Sequence, residues 1–231
     1  MTVPADLTPL PAREAYRLWA DSYDAENPVT ILERDCVRDL MPLLRGKALL
    51  DAACGTGRRL PDAETGGARR VVAVDLVHEM IHRAQARRRT PRALAVADVR
   101  ALPFLESLFD IVWFRLAAGH VPDLGDAYRE LARAARAGAY VIVTDFHPAA
   151  ASAGHVRSFR DARGTLRVVE HHIHDVGVHV NAATRAGLTL ERTIEPAVGP
   201  TVRQFYVAAG RLAAYERQRG LPLVLALLFR A

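Results

Sequence analysis

Lysine is almost missing from this chain. Lys47 is the one lysine among 31 basic residues, so arginine carries nearly all of the net charge of +5. The arginines are scattered, apart from Arg87-Arg88-Arg89 with Arg92, which reads as the solvated end of a helix. Such diffuse charge fits a coding bias better than a nucleic-acid footprint. Cysteine is scarce too. Cys36 and Cys54 have neither disulfide-framework nor metal-ligand spacing, which points to a reducing compartment and no metal. Membrane-length apolar runs are absent: the longest late one, 221–229, is too short for a bilayer and contains Pro222. The first residues lack a charged-then-apolar leader pattern, so a cytoplasmic protein with no membrane partner is expected. The 231 residues, 50% of them hydrophobic, suffice for one domain spanning 1–231 with a real core.

The stretch Leu49-Leu50-Asp51-Ala52-Ala53-Cys54-Gly55-Thr56-Gly57-Arg58 organises the rest. An apolar run ends in an acid and passes through a small-residue turn into a polar segment. That pattern predicts a buried parallel strand, a glycine loop and a helix start. Gly55 and Gly57 allow positive φ and close approach of a ligand. A dinucleotide fingerprint would need a third glycine where Leu60 stands, which argues against a nicotinamide oxidoreductase.

The chain then alternates. Val71-Val72-Ala73-Val74-Asp75 is a second apolar strand closed by an acid, at the spacing where an acid meets a ribose. Leu76 and Met80 would flank that ribose or its base. A third short strand, 93–97, runs into Asp98-Val99. A fourth, 109–114, precedes Arg115 to His120, and a fifth covers 140–146. Helices are predicted at 14–23, 31–44, 78–89 and 126–137, the last closed by Gly138 as a C′ glycine, with a short one near Pro61. Beyond Pro148 come a possible strand at 165–169, a helix at 176–186, a sixth strand at 188–194, a mostly helical 202–219 and a last strand at 223–229. Residues before about Arg13 read as a loose arm. The fold class is therefore α/β: a Rossmann-like, doubly wound, seven-stranded sheet with helices on both faces, an N-terminal helical cap (13–45) and an insertion after the fifth strand (148–180).

The acid followed by Ala-Cys-Gly-Thr-Gly resembles motif I of the class I S-adenosylmethionine-dependent methyltransferases, of the small-molecule type (methyltransferase domain 11 or 25). The resemblance covers Tyr16 to Phe146 and continues more weakly to Pro196. It implies that Asp51, Ala53, Gly55 and Gly57 hold the methionine half of S-adenosyl-L-methionine, which leaves as S-adenosyl-L-homocysteine. It implies that Asp75, Leu76 and Met80 surround the ribose, that Asp98 and Val99 meet the adenine, and that Arg115 touches methionine. Tyr16-x-x-Trp19-Ala20-x-x-Tyr23-Asp24 looks like the family's N-terminal cap, with the tyrosines toward cofactor and acceptor. A plain covering helix reads the same residues equally well. Arg136-Ala137-Gly138-Ala139 stands where the family usually has Lys-Pro-Gly-Gly.

Methyl transfer to a phenol, an acidic carbon or a protonated amine needs a base, and histidine titrates near neutrality. His172 or His174 is the preferred base. His120 and His147 are acceptor-site partners, with Trp19 and His172 also on the substrate side. The expected activity is methyl transfer to a small molecule of specialised metabolism by in-line displacement. A ribosomal- or transfer-RNA methyltransferase and a cofactor-binding module with non-methylating chemistry are the alternatives. A homodimer stays open.

Overall fold

In the computed structural model, which describes residues 7–87 and 93–231, the chain alternates strand and helix around one sheet. Helices α1 (Ala12–Trp19) and α2 (Pro28–Leu40) precede β1 (Ala48–Asp51). Then follow α3 (Leu60–Thr65), β2 (Arg70–Asp75), α4 (His78–Ala86), β3 (Ala93–Val96) and β4 (Phe109–Arg115). After a 3₁₀ turn, Ala118–His120, come α5 (Gly125–Ala134), β5 (Ala135–Phe146) and α6 (Pro148–Ser152). The chain closes with β6 (Ser158–Arg160), β7 (Leu166–Val168), α7 (Val176–Arg185), β8 (Thr189–Ile194), α8 (Arg203–Ala208), α9 (Leu212–Gln218) and β9 (Val224–Arg230).

Seven strands form the main sheet in the order β3-β2-β1-β4-β5-β9-β8. The first five are parallel, and β9 inserts antiparallel between β5 and β8. Parallel strands are buried on both faces, which is why β1 and the middle of β2 read as unbroken apolar runs. One face packs Tyr128 and Leu131 of α5 against Phe109 and Phe229. The other packs Val37 and Leu40 of α2 against Leu49 and Trp113. The order reverses between β1 and β4, and crevices at such switch points are where open α/β sheets bind ligands.

Local chemistry sets several boundaries. Helix α2 begins earlier than its apolar period predicts because Asn27 and Thr30 form a reciprocal capping box and Pro28 fits the first turn. Helix α5 stops at Ala134, short of the predicted Ala137. Phe109 already pairs with Ala135, and Gly138, at φ 76°, donates its N–H to the Ala231 carbonyl at 2.7 Å. Gly138 is thus an element of an irregular strand entry, not a helix C′ residue. The predicted helix at 202–219 is two helices separated at Gly210, φ 66°. Leu10, expected in a loose arm, bridges to Val169, and Phe159 and Val169 pack on Ala15. The segment after α6 therefore closes over α1. Arg88, Arg89 and Arg92 of the arginine cluster lie outside the described residues, while Arg87 pairs with Asp24.

Candidate cofactor and acceptor site

The carboxyl ends of β1, β2 and β4 and the start of the loop after β3 open into one cleft. Ten of the twelve residues expected to hold a cofactor line it: Tyr16, Tyr23, Ala53, Gly55, Asp75, Leu76, Met80, Asp98, Val99 and Arg115. Asp75 Oδ2 accepts the Gly55 N–H at 2.8 Å, and Oδ1 accepts the Val77 N–H at 2.9 Å. Each carboxylate oxygen keeps a lone pair for a further donor, the arrangement that two vicinal hydroxyls need. Burial raises the Asp75 pKa to about 6, against the lowering by those backbone donors. Asp51 is buried just behind the lining, 3% exposed, and its Oδ1 has no hydrogen-bond partner among the described residues. Burial pushes its pKa up to about 7, although Arg115 and the Ala53 N–H pull it down. An orphaned acid beneath a cleft fits a cationic ligand group that would complete its hydrogen bonding.

Gly57 departs from expectation. It does not line the cleft. Its φ is 69°, and a Cβ there would lie 3.0 Å from the Ala84 Cβ and 3.1 Å from Leu60 Cδ1. Its missing side chain lets α4 pack on the loop. Gly55 is the glycine beneath the cleft, roofed by Tyr23 Cε1 at 3.3 Å from where its Cβ would be.

At the other end of the cleft, a chain of hydrogen bonds crosses three elements. Arg157 Nη1 donates to the Tyr16 oxygen at 2.6 Å and to the Leu116 carbonyl at 3.0 Å. His120 Nδ1 lies 3.1 Å from the Glu170 carbonyl, which can only accept, so the proton sits on Nδ1. Nε2 is then an acceptor and takes the Tyr16 O–H at 2.8 Å. Burial, then the Arg157 charge, hold His120 well below the usual histidine range. Leu116, at φ 52°, is held in a conformation that leucine rarely adopts by Thr144 on one side and Arg157 on the other. A second pocket shares Tyr23 and Leu116 with the cleft, and Trp19 lines it.

A family model described as a methyltransferase domain matches residues 50–143, from the end of β1 through β5. Sequence similarity extends further. The 27-O-demethylrifamycin SV methyltransferase of Amycolatopsis mediterranei (strain S699) is 26% identical over 90% of this chain and 86% of its own length. The crystal structure of an S-adenosylmethionine-dependent methyltransferase from Mesorhizobium loti superposes with a TM-score of 0.68 at 26% identity, covering 87% of this chain and 98% of that one. The chain belongs to the class I S-adenosylmethionine-dependent methyltransferase family. It is a methyltransferase and its cofactor is S-adenosylmethionine. The malonyl-[acyl-carrier protein] O-methyltransferase of Dechloromonas aromatica (strain RCB) is 30% identical over 72% of this chain and 59% of its own length. The methyltransferase spans about half the length of other relatives of that name.

Three predicted histidines fall elsewhere. His174 is buried with Nε2 donating to the Val121 carbonyl at 2.9 Å, and neither it nor His172 lines the cleft or the side pocket. Their segment is not a strand: His172 hangs from the Gly119 carbonyl by its N–H, at 2.7 Å, and its ring faces His174. His147 caps α6, accepting the Ala149 N–H on Nδ1 at 3.0 Å, and pairs outward with Glu195. Of the catalytic and substrate residues expected, His120 lines the cleft and Trp19 the side pocket. Among the described residues no histidine, cysteine or acid cluster is arranged to hold a metal ion.

Three residues at the site escape the sequence reading: Glu33, Arg100 and Arg157. Arg115 lines the cleft, but its guanidinium is held bidentately by Glu33 of α2, at 2.6 and 2.9 Å, rather than being free for a ligand carboxylate. Glu33 could have been flagged as the acid sharing a helical stripe with Val37, Leu40 and Leu44. Arg100 grips Asp98, Nη2 to Oδ2 at 2.6 Å, and holds that carboxyl below the usual range. An adenine amine reaching Asp98 has to share it with this arginine. Arg157 carries no motif and lies in the irregular segment between α6 and β6.

Proposed function

We propose that this methyltransferase transfers a methyl group to a small-molecule acceptor of specialised metabolism, as one cytoplasmic domain with the cap at 13–45 and the acceptor-side insertion at 148–180. The observation that carries the reading is the convergence of Asp51, Asp75 and Asp98 with the Gly55 loop around one cleft. The similarity to the rifamycin-acting relative along nine-tenths of the chain supports the acceptor class. When bound, S-adenosylmethionine supplies an electrophilic methyl on a sulfonium, so the protein's task is to bind, align and exclude water.

The residues divide that task. Asp75 accepts the ribose hydroxyls on the lone pairs its backbone donors leave free. Asp98 exchanges part of its Arg100 contact for the adenine amine, beside Val99. Asp51 accepts the ammonium of the methionine half. Tyr16 and Tyr23 wall the methyl-bearing end. Where the acceptor carries a proton, His120 takes it once the acceptor's own donor replaces the Tyr16 O–H on Nε2; burial and Arg157 keep this histidine unprotonated at neutral pH.

Asp75→Ala tests the reading. S-adenosylhomocysteine should bind at least about tenfold more weakly by calorimetry, roughly 1.4 kcal/mol, with an unchanged circular dichroism spectrum. Equal affinity would remove the ribose role. A pH series tests the same carboxylates. Both pKa values are raised in the free protein, to about 6 and about 7, and the ligand's donors need the ionised forms. Affinity should therefore fall as pH falls, by about tenfold or more between pH 7.5 and 5.5, with proton release on binding at intermediate pH. Without ligand the sign for stability reverses. Folding raises these acids above 3.8, so their contribution turns unfavourable as pH climbs through that window. A flat affinity profile would mean that neither acid meets the ligand.

A further inference from the structure

The side pocket beyond the cofactor cleft is cationic and has no acid in its lining. Arg58 and Arg157 both line it, beside Asn27 and Ser158, and Trp19 and Phe146 give it aromatic walls. Neighbouring acids are turned to other partners: Asp21 to Arg83, Asp24 to Thr56 and Arg87, and Glu26 to Arg34. Arg58 makes no ion pair or hydrogen bond with the described residues and stands over the Tyr23 ring, 5.4 Å from its centroid. Arg157 spends only Nη1 on the protein. Its Nε and Nη2 donors have no partner among the described residues, and neither is among the sealed, unsatisfied atoms of the interior. Both guanidinium groups also pull down the pKa of the Tyr23 hydroxyl against the larger effect of burial, so both charges are within electrostatic reach of it.

Two guanidiniums with free N–H forks, no carboxylate and aromatic flanks describe a receptor for a planar or tetrahedral oxyanion on an apolar body. The cofactor cleft next door has the opposite character, with Asp75 and Asp98 in its lining and Asp51 beneath it. We propose that Arg58 and Arg157 anchor the acceptor through an oxyanion, a carboxylate or a phosphate, so that the acceptor is an amphipathic acid whose apolar body lies against Trp19 and Phe146. This rests on the methyl-transfer reading and names the substrate class of that site. An uncharged amide of the same shape cannot neutralise two half-buried cations, so the selectivity is a matter of charge as well as fit.

The test uses the full chain saturated with S-adenosylhomocysteine. Cinnamate, 4-phenylbutyrate and phenyl phosphate are titrated beside cinnamamide and 4-phenylbutyramide by calorimetry. At least one acid should bind tenfold or more tighter than its amide. Arg58→Gln and Arg157→Gln should each cut that preference at least fivefold, and Arg58→Lys should restore part of it. Tighter binding of phenyl phosphate than of either carboxylate assigns a phosphate anchor, and the reverse order a carboxylate. Amides that bind as well as acids overturn the proposal, as does an acid preference that survives in both Gln variants. Binding of S-adenosylhomocysteine to the same preparations separates the two claims. If wild type does not bind it, the methyl-transfer reading fails. If it binds but no acid is preferred, only the anchoring role fails.

Discussion

Glu33→Ala is expected to destabilise the fold by about 3–5 kcal/mol, the loss typical of removing one partner from a buried ion pair. Glu33 is 2% exposed, and it faces Arg115 at 2.6 and 2.9 Å, Arg59 at 3.9 Å and the Thr144 hydroxyl at 3.3 Å. Truncation leaves the Arg115 guanidinium buried with no ion-pair partner among the described residues. For a domain of this size the loss corresponds to a melting temperature lower by roughly 6–20 °C, read by calorimetry. Glu33→Gln keeps the shape and one acceptor, so its loss should be smaller. Burial alone would raise the Glu33 carboxyl, but the charge and hydrogen bonds of Arg115, with Arg59 and Arg58, outweigh it and hold the pKa low. A depressed acid stabilises above its unfolded pKa and stops doing so as pH falls through the folded one. The difference between wild type and Glu33→Gln should therefore shrink in acid. An alanine variant that melts with wild type would mean that the pair is not closed in solution.

Gly57→Val is expected to lose about 2–5 kcal/mol. Left-handed backbone costs a side-chain-bearing residue about 1–2 kcal/mol, and overpacking against a helix typically adds about 1–3 kcal/mol. The Cβ alone would sit 3.0 Å from the Ala84 Cβ, and valine adds two methyl groups to that contact. Because Gly57 closes the turn by donating its N–H to the Cys54 carbonyl at 3.0 Å, the strain falls on the loop that carries Gly55. S-adenosylhomocysteine affinity and thermal stability should therefore drop together. A stable Gly57→Val protein with reduced affinity would instead place Gly57 against the ligand, as the sequence reading expected.

What could be read in advance follows a simple division. The strands β1, β2, β4, β5 and β9 were legible because a buried parallel or central strand needs near-continuous apolar residues, whatever it packs against. Asp51, Asp75 and Asp98 were legible because each sits where such a run ends, and the topology of an α/β sheet delivers strand ends to one rim. His172, His174 and His147 lie away from the cleft and the side pocket for the converse reason. They lie outside regular elements, where no periodicity states which way a side chain points. Backbone carbonyls and N–H groups nearby claimed them: Val121 for His174 and Ala149 for His147. Gly57 was read as a contact for a ligand because positive φ is all that a glycine discloses, and the neighbour it accommodates belongs to another helix.

Taken alone, the order of residues determined the class of sheet and the acidic rim, since these depend on local composition and on spacing along one chain; the cofactor followed from the resemblance of the Asp51 to Gly57 stretch to a known family. Tertiary structure decided the rest: that Arg115 is neutralised by Glu33, that His120 faces the cleft, and that Arg58 and Arg157 meet in one pocket. Charges and hydrogen bonds act over a few ångströms, while these partners are separated by up to a hundred residues. Only the closing of the fold sets which of them are neighbours.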